Sequence, residues 1–255
     1  MAPVKSVTFP SGITVTSEDT TSNLCSTCHS GREAKSTIDS AIASNKLSFR
    51  NVHYLPAAAV RQGAAARVGY EYTGRTYAGP WSGHPGGDGC ISCHSASGTQ
   101  HTFLIADNAA SCKLCHQSAP TPEDIRSATK HGTDYDGDGS ASEQLRGESA
   151  GLASDVLAEM HAVVVAAGGP GICYDAHSYP YFFVDTNGNA DCDVGEAVSS
   201  NGFKAWTAGL MKAAHNFQIS QKDPGGWAHN FDYLAQLLID SMEDLGGDIS
   251  SYERP

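Results

Sequence analysis

The pentapeptide Cys-x-x-Cys-His occurs three times in the first half of this 255-residue chain, as Cys25-Ser-Thr-Cys28-His29, Cys90-Ile-Ser-Cys93-His94 and Cys112-Lys-Leu-Cys115-His116. Two thiols three residues apart, followed at once by an imidazole, form the attachment signature of a c-type haem. The sulfurs make thioethers to the porphyrin edge, and the histidine binds the iron on its proximal face. A single copy is compatible with half of a zinc site. Zinc, however, needs four thiols, or thiols with clustered imidazoles, at one tetrahedral centre. Three motifs that each carry an immediate histidine fit that demand poorly. The chain is thus expected to fold around large apolar plates, which suits its modest hydrophobic share of 40% and its 27 glycines.

On these motifs the chain resembles the multihaem c-type cytochromes. The tracts Cys173-Tyr-Asp-Ala-His-Ser-Tyr-Pro-Tyr-Phe-Phe and Gln221-Lys-Asp-Pro-Gly-Gly-Trp-Ala-His-Asn are similar to the tails of such cytochromes from respiring, metal-reducing bacteria. The resemblance implies a trihaem protein with haem c as its cofactor, transferring electrons in extracytoplasmic respiration. Its implied partners are redox proteins or other haem subunits, and a homo-oligomer or filament is compatible with it. It also implies a periplasmic or extracellular location. Residues Met1 to Ser11 show no charged start followed by an apolar run, so an export leader is expected to have been removed.

The formal net charge is -12 and the sequence pI is near 5.2, before haem propionates add more negative charge. No basic cluster is present to neutralise phosphates, which argues against nucleic acid as a partner. An acidic surface favours cationic partners or metal ions. No apolar run approaches the roughly 20 residues that span a bilayer, so no membrane span is expected.

The expected fold is mainly α with much irregular loop. It divides into a haem-packed half over residues 1–130 and a helical half over 131–255 that carries calcium-type loops and packs on the first. Residues 1–22 read as an extended arm of short strands. Glu33–Leu47 reads as a helix with Ile38, Ile42 and Leu47 on one stripe, and Asn51–Gly89 as irregular wrapping over a haem. Downstream, Ser149–Ala167 places Leu152, Val156, Met160 and Val163 on one face. Phe203–Phe217 aligns Phe203, Trp206, Leu210, Ala214 and Phe217, and Trp227–Leu245 aligns Phe231, Leu234, Leu238, Met242 and Leu245. Tyr179–Val184 reads as a strand. These stripes are read as core packing. The 17 residues between His94 and Cys112 should keep the second and third haems close, whereas the 60 between His29 and Cys90 make no such demand.

Each proximal histidine (His29, His94, His116) leaves one iron face to fill. Eight further histidines are available, against Met160, Met211 and Met242 on or near apolar helices, so bis-histidine ligation is expected. His53, His84 and His101 lie among the motifs in Gly- or Asn-flanked loops and are the first candidates. His101 follows His94 too closely to round its own haem, so it should serve a neighbour. Among His177, His215 and His229, which could reach back from the second half, His229 ranks first as the alternate because it follows a Pro-Gly-Gly turn. His161 reads as a surface or half-buried helix residue, and His131 as solvated.

Two acidic loops have oxygen-ligand spacing. Asp185, Asn187, Asn189, Asp191, Asp193 and Glu196 occupy positions 1, 3, 5, 7, 9 and 12 of a calcium loop, departing from the pattern at position 6, where Ala190 stands for glycine. Asp134, Asp136, Asp138 and Ser140 open a second such loop with Gly139 at position 6. Its position 12 is Leu145, so the closing carboxylate must come from Glu143, Glu148 or elsewhere. One or two Ca²⁺ ions are expected; the bland alternative is a solvated acidic turn. The two cysteines outside the motifs, Cys173 and Cys192, are left to pair with each other, and a disulfide there could anchor the first of these loops.

The leading function is electron transfer without catalysis. The competing one is a multihaem reductase, with one open haem iron acting on a small oxyanion.

Overall fold

The computed structural model describes residues 3–53, 55–84, 87, 89–94, 102–126 and 132–255. The chain opens with a hairpin, β1 (Ser6–Thr8) against β2 (Thr14–Thr16), in the register Ser6 to Thr16 and Thr8 to Thr14. Helix α1 (Thr20–Cys28) follows, then α2 (Lys35–Ala43), α3 (Ala57–Gln62), and the single turns α4 (Cys90–Cys93) and α5 (Ala109–Cys112). The second half holds α6 (Leu145–Ala166), a hairpin of β3 (Ile172–Tyr174) and β4 (Phe182–Val184), α7 (Ala208–Lys222) and α8 (Gly226–Leu245). The architecture is mainly α, and the strands are short.

Helices α6, α7 and α8 pack on one another around the main core. Leu152, Val156, Met160, Leu210, Phe217, Phe231, Leu234, Leu238 and Met242 are buried there, and so are Ile38, Val52, Val60 and Tyr70 from the first half. One core therefore runs across residue 130. A smaller cluster under the first hairpin joins Val7 and Phe9 to Ala58, Ala59, Ala66 and Val68.

Several expected elements shift. Phe203 and Trp206 are core residues, but they precede the helix: α7 begins at Ala208, where the Thr207 side chain caps it by accepting from the Leu210 N–H at 3.2 Å. Trp206 and Phe203 pack edge to face, 5.1 Å apart, from an extended segment. A helical stripe and a packed pre-helical tail bury the same residue types, so periodicity alone extended the helix too far. Within Asn51–Gly89, the stretch Ala57–Gln62 is a helix rather than irregular chain, because its small residues Ala58 and Ala59 and the side chain of Val60 fit a buried face. The strand expected over Tyr179–Val184 is confined to Phe182–Val184, since Tyr181 has φ +74°. Helix α6 starts four residues earlier than expected. Among the described residues it is the one helix long and apolar enough, by length and composition, to cross a membrane. It packs against α7 and α8, with a buried face at Glu148, Leu152, Val156, Met160 and Val164, so we read it as a core helix.

From Asn51 to Trp81 the chain lies as a strap over α7 and α8, largely without regular backbone pairing of its own. Buried backbone groups must nevertheless find partners, and polar side chains of the two helices supply them. Asn216 accepts from the Tyr70 N–H at 2.7 Å and donates to the Tyr70 carbonyl at 3.1 Å. Gln218 accepts from Val52 N–H, the Tyr233 hydroxyl from Gly69 N–H and Gln236 from Ala78 N–H. Asn230, where the α8 backbone departs from helix, donates to the Gly79 carbonyl at 2.9 Å.

Replacing Asn216 by Ala strands both Tyr70 backbone groups in a dry setting and should cost about 2–4 kcal/mol. A lowered midpoint in chemical denaturation, at unchanged haem content, is the expected reading.

Candidate functional site

In the first two motifs the two cysteines lie three residues apart on one helical turn, which brings both thiols to the same side and leaves the histidine at the turn's end. In the third, α5 ends at Cys112 and the chain continues as a turn in which the His116 N–H donates to the Cys112 carbonyl at 2.9 Å. Asp19 caps α1 by accepting from the Ser22 N–H at 2.9 Å and the Ser22 hydroxyl at 2.5 Å. That same hydroxyl accepts from the Cys90 N–H at 2.9 Å, so α1 and α4 are joined directly. Burial works to raise the Asp19 carboxyl, but hydrogen bonds from Ser22 and Thr21 and the charge of Arg61 hold it below the ordinary range. The Cys25 thiol is raised by burial and by a hydrogen-bonded neighbour, Cys90. Burial likewise raises Cys93, which faces Cys112 and Cys90. The three attachment turns are thus contiguous in chain order. The short tether foretold the second contact; nothing in the 60-residue gap foretold the first.

The imidazoles are oriented as ligands. The Nδ1 of His29 lies 2.9 Å from the Leu55 carbonyl and that of His94 lies 2.8 Å from the Phe103 carbonyl. A carbonyl only accepts, so Nδ1 carries the proton and Nε2 keeps its lone pair for a metal. His229 is fixed in the same sense by Asp223, whose buried carboxylate oxygens lie 2.9 and 2.8 Å from its Nδ1. Burial opposes charge on His229, and the Asp223 carboxylate outweighs it, leaving the imidazole above its usual pKa.

Two ring pairs then stand out. His84 and His116 have centroids 6.2 Å apart with planes at 18°, and His94 and His229 have centroids 6.0 Å apart with planes at 40°. Two imidazoles bound end-on to opposite faces of one metal ion, each at a bond length of about 2.0 Å, put their centres about 6 Å apart. Thiol pairs beside oriented imidazoles at this spacing fit a covalently bound haem. Trp81 lies 6.2 Å from the His84 ring and 6.0 Å from the Arg126 guanidinium, which donates to the Trp227 carbonyl at 3.0 Å. These contacts tie the segment bearing His84 to the one bearing His229.

The remaining candidates fall elsewhere. His53 has φ +59° and its Nδ1 is 3.3 Å from the Asn51 amide. His101 and His131 lie outside the described residues. His215 is buried, with Nε2 2.8 Å from the Val68 carbonyl, and burial lowers its pKa; it serves the strap. His161 packs beneath the second hairpin, its Nδ1 3.2 Å from the Ile172 carbonyl and 3.5 Å from Asp185. Met160, Met211 and Met242 are all buried in the main core. Asp223 was missed by sequence reasoning; its only signal is an acid six residues before His229.

The two acidic loops differ. In the loop from Asp185 to Glu196, Asp185 accepts from the Gly188 and Ala190 N–H groups, both at 2.7 Å, and Ala190 takes φ +67°, the conformation a glycine would favour at that position. Glu196 accepts from Thr186 at 2.6 Å through both N–H and hydroxyl, and from Asp193 N–H, and these bonds hold its carboxyl below the ordinary range. Asp193 takes the amides of Asn187 and Asn189, while Asp191 donates its backbone N–H to Asn189. Cys173 and Cys192, with Cα atoms 5.1 Å apart, are joined as a disulfide. In the other loop Asp134 accepts from Gly137 and Gly139 N–H groups, and Ser140 donates to Asp138. Here burial pushes Asp136 up to about 6 and Glu148 up to about 7, with neighbouring carboxylates adding to both.

Haem-attachment turns presented by a mainly helical fold define a multihaem c-type cytochrome, and the chain belongs to that class. It is 32% identical, over 87% of its length, to the C-type polyheme cytochrome OmcB of Geobacter sulfurreducens, and equally so to OmcC of the same species. It spans about 30% of the length of these curated relatives. No family model matches the chain, and no solved structure matches it.

Two outcomes follow from this geometry. Changing Cys112 and Cys115 together to Ala should lower the covalent haem content by one, counted by pyridine haemochrome and intact mass. Changing Cys173 and Cys192 to Ser should cost about 3 kcal/mol of stability, the usual value for a loop of this size, seen as a fall in the thermal midpoint.

Proposed function

We propose that this chain carries electrons through three c-type haems, in extracytoplasmic respiration and in contact with other redox proteins or haem subunits. The observation that carries the reading is the pair of imidazole couples at 6.2 and 6.0 Å. They support His116 with His84 on the third haem and His94 with His229 on the second. His53 and His101 are then the candidates opposite His29. When bound, each haem supplies a one-electron centre; the polypeptide sets its spacing and potential.

The residues have separable tasks. Asp223 receives the His229 Nδ1–H, which makes that imidazole a stronger donor and would favour the oxidised state of an iron bound there. Phe103 and Leu55 carbonyls orient the proximal rings more weakly. Arg61 sits close enough to Asp19, Cys93 and His229 to lower the pKa of each, so it adds positive charge beside the second site. The Trp81–Arg126 contact keeps the second and third sites adjacent. An extracytoplasmic location is favoured by the Cys173–Cys192 disulfide, since such bonds persist in oxidising compartments.

Spectroelectrochemical titration of His84→Met and His229→Met tests this. Each variant should raise the potential of one haem, by a fraction of the roughly 0.8 V range that axial ligands span, and leave the other two in place. Potentials unmoved in both variants would refute the pairing. A high-spin ferric signal in the unmutated protein that binds nitrite or CO would favour the reductase reading instead.

A further inference from the structure

The loop at residues 134–140 and the first turn of α6 together form a site that electron transfer does not use. Asp134, Asp136 and Asp138 bring one carboxylate oxygen each within 4.8 Å of one another, and Asp136, Glu143 and Glu148 do the same. Asp136 belongs to both sets. A cluster of acids alone would be unremarkable, but Glu148 is not an ordinary surface acid. It is fully buried, and its Oε2 accepts from the Tyr135 and Asp136 N–H groups at 2.8 and 3.1 Å. Its Oε1 is buried with no hydrogen-bond partner. A dry carboxylate oxygen without a partner is costly, and the carboxylate that carries it is a member of the acidic cluster.

The helix is shaped to admit the other ligands. Gly147 and Gly151 lie one turn apart on α6. A β-carbon at Gly147 would sit 2.0 Å from Glu143 Oε2, and one at Gly151 would sit 1.8 Å from Asp136 Oδ2. Glycine weakens a helix interior, so its use at these two positions matches the need for carboxylates to lie against the helix backbone. The three loop acids occupy positions 1, 3 and 5 of a calcium loop, where oxygen ligands are needed. The closing carboxylate is absent at position 12, which is Leu145. Glu148 lies three residues further on, one helical turn along α6.

We propose that this site binds one Ca²⁺ ion, with Asp134, Asp136 and Asp138 from the loop and Glu148 as the buried closing ligand, Glu143 completing the carboxylate set. All donors are oxygen, which suits a hard cation rather than zinc or copper. A bound cation offsets the mutual repulsion of these carboxylates. The ion fastens the loop after residue 131 to the helix at the centre of the core.

Isothermal titration of the chelator-treated holoprotein with CaCl₂ tests the proposal. Relative to the unmutated protein, Glu148→Gln should lose one Ca²⁺ equivalent or bind it at least tenfold more weakly, with the haem spectrum unchanged. Asp138→Asn alters an exposed ligand that no core contact depends on, and it should weaken the same event if Glu148→Gln fails to fold. No Ca²⁺ binding up to millimolar concentration overturns the proposal, as do variants that bind the same number of ions with the same affinity.

Discussion

The fold depends on a segment that cannot satisfy its own backbone. Residues 51–81 cross the two C-terminal helices mostly without a ladder or helix of their own, and at Val52, Gly69 and Tyr70 the backbone is buried away from water. Asn216, Gln218, Asn230, Tyr233 and Gln236 take over the hydrogen bonding. This arrangement is directional in a way that apolar packing is not, because an amide that both donates to and accepts from Tyr70 tolerates one register of strap against helix. Register matters here because the strap leads into Trp81 and His84, while α8 begins with Trp227 and His229. Fixing one against the other sets the distance between these two histidine-bearing segments.

That distance is reinforced by electrostatics. Arg126 is half-buried and its pKa is lowered by that burial. Its position over Trp81 and its bond to the Trp227 carbonyl compensate the lost hydration. Asp223 is buried and is compensated by His229. Both pairs stiffen the ends of the strap and of α8 that face each other.

How much of this could be read in advance depended on whether the signal was local. The attachment motifs are local chemistry, legible residue by residue. The stripes on α6 and α8 are also local, because a buried helix face repeats. Phe203 and Trp206 misled because core burial continues past a helix cap, and Thr207 carries no periodic signal. The approach of His229 to His94 has no local signal, because it depends on the long-range contact of α8 with the strap. The polar face of α7, with His215, Asn216 and Gln218, interrupts the apolar pattern with no local hint of what it bonds. Glu148 is one of several acids the sequence offers near that loop, and only the fold shows its carboxylate beside Asp136 and Glu143.

The apposition of Cys25 and Cys90 bears on how the protein is made. These thiols belong to different motifs, 65 positions apart, yet hydrogen-bond each other in the folded chain. In an oxidising compartment two such sulfurs are competent to join, and that bond would rob two haems of one anchor each. Burial slows the reaction by keeping Cys25 protonated, while thioether formation removes both sulfurs from it altogether. For these two thiols, haem attachment and a Cys25–Cys90 disulfide are mutually exclusive outcomes.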